Sequence, residues 1–290
     1  RGQVAAALEL AEQAVSLTES DPQTVAAWRS RLLRAEVQIA RLEMAAALPD
    51  LQATLPDGQA FDPLRARQKY LHAQIQVAQG QLQPASEALA SAAPLAAGDH
   101  DLELDLALLG SQVRARLGRW QEAEDGLQSV LTRSTERNDR YRQALALNNL
   151  GMSRLVRNRF DEALPWFERV LAYDDLERTR IYGLSQNNVG ICFARLGQFD
   201  RALAAQQRAI EIHDRSGRKS ELMQAVGELG ATYLLQDEVA LGIPHLKRAL
   251  SIATEAGLSA DGAVWARNLA AASVATGNWA EAARYNDEAR

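Results

Sequence analysis

The sequence has one cysteine, three lysines, no long apolar run and no basic stretch. A single thiol, Cys192, excludes an intrachain disulfide framework and a multi-cysteine zinc site. Lys69, Lys219 and Lys247 stand against 29 arginines, a skew associated with GC-rich bacterial genomes. No apolar run approaches the roughly 20 residues that a transmembrane helix needs. The formal net charge of −5 leaves no basic footprint for nucleic acid and no polybasic patch for a membrane surface. Alternating Val/Ile/Thr runs are missing and alanine is abundant, which points to an all-α chain.

Catalytic and metal-binding patterns are missing as well. His72, His100, His213 and His245 are scattered, and none has a partner at metal-ligand spacing such as H-E-x-x-H. His213 falls near a helix end, where a partly charged imidazole is favourable. Cys192 lies in a helix with no histidine or helix N-terminus to activate it, so a buried, inert thiol is expected. There is no phosphate-binding glycine loop and no nucleophile elbow. The expectation is a chain without cofactor or metal that is not itself an enzyme.

What the sequence does contain is a repeat. The stretch ALALNNLGMSRLVRNRFDEALPWFERVL, residues 144–171, reads as two amphipathic helices with a polar break at Arg157, Asn158 and Arg159. Gly151 and Ala163 supply a small residue on each helix, which close approach of two helices demands. Sliding this template along the chain finds small-residue anchors at Ala35, Ala73, Ser111, Gly151, Gly190, Gly230 and Ala270. They are spaced 38, 38, 40, 39, 40 and 40 residues apart. Gly2, Val4, Ala7, Ala11 and Ala14 match only the second helix of a further copy.

This pattern resembles the tetratricopeptide repeat (TPR), lengthened beyond its usual ~34 residues as in kinesin light chains. The resemblance implies a right-handed α-solenoid of antiparallel helix pairs, about seven repeats plus an N-terminal half repeat. A solenoid also explains how 290 residues do without an interdomain linker, since each repeat buries its apolar face against its neighbours. The expected organisation is a single solenoid over 1–290, with a half repeat at 2–18. Helix pairs are expected at 22–54, 63–95, 100–134, 138–174, 178–216, 219–256 and 259–290. Asp21-Pro22 and Asp62-Pro63 read as N-cap followed by first helical position. Gly217 and Gly257 read as left-handed caps. Pro165 and Pro244 share one register position early in a second helix. The chain begins and ends inside repeats, so it is expected to be a segment of a longer protein, cytoplasmic, with an exported or anchored parent left open.

In a TPR superhelix the first helices face the groove. The groove positions then lie six before, three before, one after, four after and five after each anchor. For Gly151 they are Leu145, Asn148, Met152, Leu155 and Val156; for Gly190, Leu184, Asn187, Ile191, Ala194 and Arg195. For Gly230 they are Gln224, Gly227, Ala231, Leu234 and Leu235; for Ala270, Val264, Arg267, Ala271, Val274 and Ala275. An apolar stripe of this length on an open face marks a binding surface; a tighter superhelix would instead bury it. Asn149, Asn188 and Asn268 each precede an anchor by two residues. An asparagine pairs with both N–H and C=O of an extended segment, and kinesin-light-chain-like TPRs use such asparagines for peptides. The competing reading is a consensus asparagine that bonds neighbouring helices.

A narrower resemblance rests on NNLGMSRLVRNRFDEALPWFERVL, NNVGICFARLGQFDRAL and RNLAAASVATGNWAEAARYNDEA, which look like the N-terminal repeats of bacterial TPR–CHAT proteins. That family carries a caspase-like peptidase domain, of which nothing is present in this chain. The resemblance implies a regulatory scaffold that binds a peptide or protein, its own downstream domain included. The alternative is the sensor region of a bacterial signalling protein, a transcriptional activator or cyclase, that binds a small molecule or restrains an output domain.

Overall fold

In a helix pair, the crossing point decides how close two backbones come. The computed structural model describes residues 2–289, with backbone alone at 2–5, 259 and 260. A Cβ placed on Gly190 would lie 3.1 Å from the carbonyl oxygen of Ala202, and one on Gly230 would lie 3.0 Å from that of Gly242. One on Gly151 would lie 2.7 Å from the ring of Phe167. The anchors are therefore small because a second backbone or a large ring occupies the space of a side chain. Ala35, Ala73 and Ser111 occupy the same place earlier in the chain and are fully buried.

The described residues form fifteen α-helices and no strand. They divide into two compact units, residues 1–142 and 143–290. The first unit holds α1 (Gly2–Ser16) and the pairs α2 (Val25–Ala40) with α3 (Met44–Gln52), α4 (Asp62–Ala78) with α5 (Leu82–Ala92), and α6 (His100–Arg116) with α7 (Trp120–Glu136). The second holds α8 (Arg140–Leu155, from Gln143 on) with α9 (Phe160–Leu171) and α10 (Arg180–Arg195) with α11 (Phe199–Arg215). Its remaining pairs are α12 (Lys219–Leu235) with α13 (Val239–Ala256), and α14 (Ser259–Ala275) with α15 (Trp279–Glu288). Within each unit the pairs stack in chain order, as in an α-solenoid.

Seven residues after every anchor the chain turns through the left-handed region. Leu42, Gly80, Gly118, Asn158, Gly197, Asp237 and Gly277 have φ of 65, 76, 78, 59, 75, 64 and 74°. The following residue donates its N–H back into the first helix, as Gln198 N does to Phe193 O at 2.8 Å and Arg159 N to Arg154 O at 3.0 Å. This closes the helix C-terminus. Gly217 and Gly257 adopt the same left-handed conformation, with φ of 65 and 69°.

Two expected helix starts are corrected. Thr24, not Asp21, caps α2, because its extended backbone lets Oγ1 accept from Ala27 N at 3.2 Å. At α4 a 3₁₀ turn over Gln59–Phe61 runs straight into the helix, so Asp62 sits inside the first turn and pairs with Arg65 at 2.6 Å. Pro49 joins Pro165 and Pro244 at one register position, five residues after the first residue of its second helix. All three are exposed, so each ring faces water and its helix loses one backbone hydrogen bond there.

Buried polar groups tie the pairs together. In the first unit the Asp50 carboxylate, 3% exposed, accepts from Arg31 Nε at 2.9 Å and Arg34 Nη2 at 2.7 Å. Gln68 Nε2 donates to the carbonyls of Asp50 and Ala53 at 3.0 and 2.8 Å. In the second unit His213 is fully buried against Gly183, where a Cβ would lie 2.6 Å from its Cε1. Burial holds the imidazole below its ordinary value, which corrects the expectation of a partly charged ring: desolvation outweighs the helix end.

Candidate interaction face

The candidate residues lie on α8, α10, α12 and α14 of the second unit, except Val156, which falls in the turn just after α8. Neighbouring first helices touch, α10 against α12 and α12 against α14, and a hydrogen bond from Asn188 to Asn148 joins α10 to α8. The seam between the helices and the outer stripe differ sharply. Along the seam, Asn148 and Asn187 are each only 6% exposed, and Gly227 is covered by Trp265, whose ring would meet an added Cβ at 2.5 Å. Ala194 is buried too. The arginine at the equivalent place on α14, Arg267, is exposed.

The asparagines divide by role. Asn188 Nδ2 donates to Asn148 Oδ1 at 3.1 Å, and Ser185 Oγ donates to the same oxygen at 3.2 Å. These residues join α8 to α10. By contrast, Asn149 Nδ2 and Asn187 Oδ1 are buried without a hydrogen-bond partner, one donor and one acceptor left open. Asn268 on α14 is partly exposed.

The outer stripe is apolar and open. Val156, Leu235, Val264 and Val274 are 51, 46, 41 and 46% exposed. Leu145, Leu184, Ile191 and Ala231 are partly exposed beside them, while Ala271, Ala275, Gln224 and the charged Arg195 are exposed. Met152 and Leu155 lean onto the core built around Phe167 and Phe193. Leu234 likewise turns inward, against Gly242 and the core of α12 and α13.

One residue of this face escapes the register used above. Glu228 stands two before Gly230, the slot that Asn149, Asn188 and Asn268 fill in the other three repeats of the second unit, and is partly exposed. Burial holds its carboxyl above the ordinary carboxylate range, against the pull of Arg195. The signal available in the sequence was the gap in the asparagine series at this repeat. Close by, Tyr233 stacks on His245 at 5.6 Å.

Cys192 is fully buried, and burial pushes its thiol up to about 12. No three His, Cys, Asp or Glu side chains converge as a metal site among the described residues. Among the described residues, no helix is long and apolar enough to cross a membrane.

Residues 106–175 match the family model for the tetratricopeptide repeat. Similar solved structures include BtubC (BKLC) from P. vanneervenii, 24% identical over 73% of this chain and 89% of that one, with a TM-score of 0.61. Another is the Rap conjugation gene regulator of plasmid pLS20 in complex with the Phr* peptide. It is 13% identical over 90% of this chain and 72% of that one, with a TM-score of 0.68. The TPR-like repeats assigned to a kinesin light chain of Podosopora anserina are 18% identical over 68% of this chain and 98% of theirs, at a TM-score of 0.52. No curated protein matches the chain in sequence.

Proposed function

Since the chain is built of tetratricopeptide repeats, we propose that it is a non-catalytic protein-interaction module. The first-helix face of its last four repeats holds an extended peptide or a protein segment. One observation carries the reading: Val156 just past the end of α8, Leu235 on α12, and Val264 and Val274 on α14 all stand exposed along the first-helix face. Aliphatic side chains aligned this way gain most when a partner removes them from water, at about 25 cal/mol per Å² of apolar surface. Asn149 has an amide nitrogen without a partner in the chain, which a backbone C=O of the bound segment satisfies once the side chain turns outward. A Rap regulator with this fold is known in complex with a peptide, which fits the same mode. The role the CHAT-type resemblance implies for such a module is that of a regulatory scaffold.

Panning a displayed library of random dodecapeptides on the whole chain tests the reading. Leu235→Glu and Val274→Glu, both at exposed positions, serve as counter-baits with helicity checked by circular dichroism. Peptides retained by the native chain and lost with the charged variants support the assignment. Peptides retained equally by all three baits place binding elsewhere and remove it.

A further inference from the structure

We propose that the segment held on this face carries a lysine or arginine whose side chain pairs with Glu228. The inference rests on the groove reading above and adds the chemistry of the occupant. Glu228 lies four residues after Gln224, three before Ala231 and seven before Leu235. At 3.6 residues per turn these spacings put it in the middle of the open stripe of α12. Its two flanking residues face the other way: Gly227 is sealed by Trp265, and Leu229 belongs to the core.

The carboxylate has nothing to hold it. Among the described residues, Glu228 makes no ion pair and its carboxylate has no hydrogen-bond partner; its backbone oxygen accepts from Thr232 Oγ1 at 3.0 Å. Arg195 acts on it through space without closing to an ion pair, and that arginine stays exposed. A half-buried acid without a cation is costly, and the surrounding protein already disfavours its charged form. The other three repeats of the second unit meet this slot with a neutral amide, which asks nothing ionic of a ligand. Only α12 presents a carboxylate there, so the cation is required at one point of the bound segment. A bound backbone that displaces the remaining water would strengthen the pairing, because a charge-assisted hydrogen bond gains as local water leaves.

The test uses the whole chain and an acetylated, amidated random decapeptide library with one position at a time fixed as lysine, arginine, norleucine or glutamate. The native chain should favour lysine or arginine over norleucine at one position by about tenfold, the scale of one charge-assisted hydrogen bond. Glu228→Gln, nearly isosteric and partly exposed, should abolish that preference while retaining the norleucine peptides. Equal retention of lysine and norleucine by the native chain would overturn the inference and leave the groove reading standing. A lysine preference that persists in Glu228→Gln overturns it too, by locating the acid elsewhere. If no library peptide binds, the groove reading itself falls and the inference with it.

Discussion

Asn188 Nδ2 and Asn148 Oδ1 lie 3.1 Å apart in the seam between α8 and α10, so an asparagine pair does structural duty within the face. Asn148 accepts from two groups, since Ser185 Oγ reaches the same oxygen at 3.2 Å. Asn149, its sequence neighbour, leaves its own buried amide nitrogen open.

Asn148→Ala therefore strands two buried donors and should cost about 1–3 kcal/mol in urea unfolding. Asn149→Ala breaks no hydrogen bond of the free chain and should cost much less, while lowering peptide affinity. Equal losses of stability in the two variants would mean that the division of roles is wrong.

Gly227 has its hydrogen side against the Trp265 indole, where a Cβ would meet ring atoms at 2.5 Å. Alanine gains up to about 1 kcal/mol in helix propensity over glycine. The overpacking it forces costs about 1–3 kcal/mol, so Gly227→Ala should be neutral to destabilising, with a shifted tryptophan emission. A clear stabilisation with unchanged emission would show that the indole is not fixed there.

His213 sets a pH dependence. Its folded-state pKa lies below the ordinary 6.5, first because burial disfavours the charged ring. The unfolded chain then binds more protons as pH drops, so stability is full above about 6.5 and falls below it. His245, also lowered by burial, adds in the same direction. Glu228, held above the ordinary carboxylate range, works in the opposite sense. The difference between native chain and His213→Gln isolates the histidine: between pH 6.5 and 5 the variant should lose less stability. Parallel curves would remove His213 as the cause.

Much of the fold was legible because its demands are steric. Where a Cβ would strike a carbonyl oxygen, as at Gly190 and Gly230, only the smallest residues survive, and their spacing exposes the repeat. The site was less legible for a geometric reason. Asn148 and Asn188 occupy different register positions and still meet across the seam, while Asn149, in the register of Asn188, finds no partner there. Sequence spacing places all three near the groove and does not say which meets a neighbour. The start of α2 was misplaced because Asp21 and Thr24 both suit a cap, and backbone conformation alone chose Thr24. His213 depends on the bare Cα of Gly183, thirty residues earlier and on another helix.

The left-handed joints within the helix pairs are not equal. Four are glycine and two are Asn or Asp, but Leu42, with φ 65°, carries a branched side chain into a conformation that disfavours it by about 1–2 kcal/mol. Leu42→Gly should raise the stability of that pair by up to about 1 kcal/mol after the flexibility of glycine is counted. In native-state hydrogen exchange the amides of α2 and α3 should be released before those of α10 and α11, whose joint is Gly197. The array then has a graded order of opening written into one turn residue per repeat: the repeats that present the interaction face stay closed while the Leu42 pair breathes.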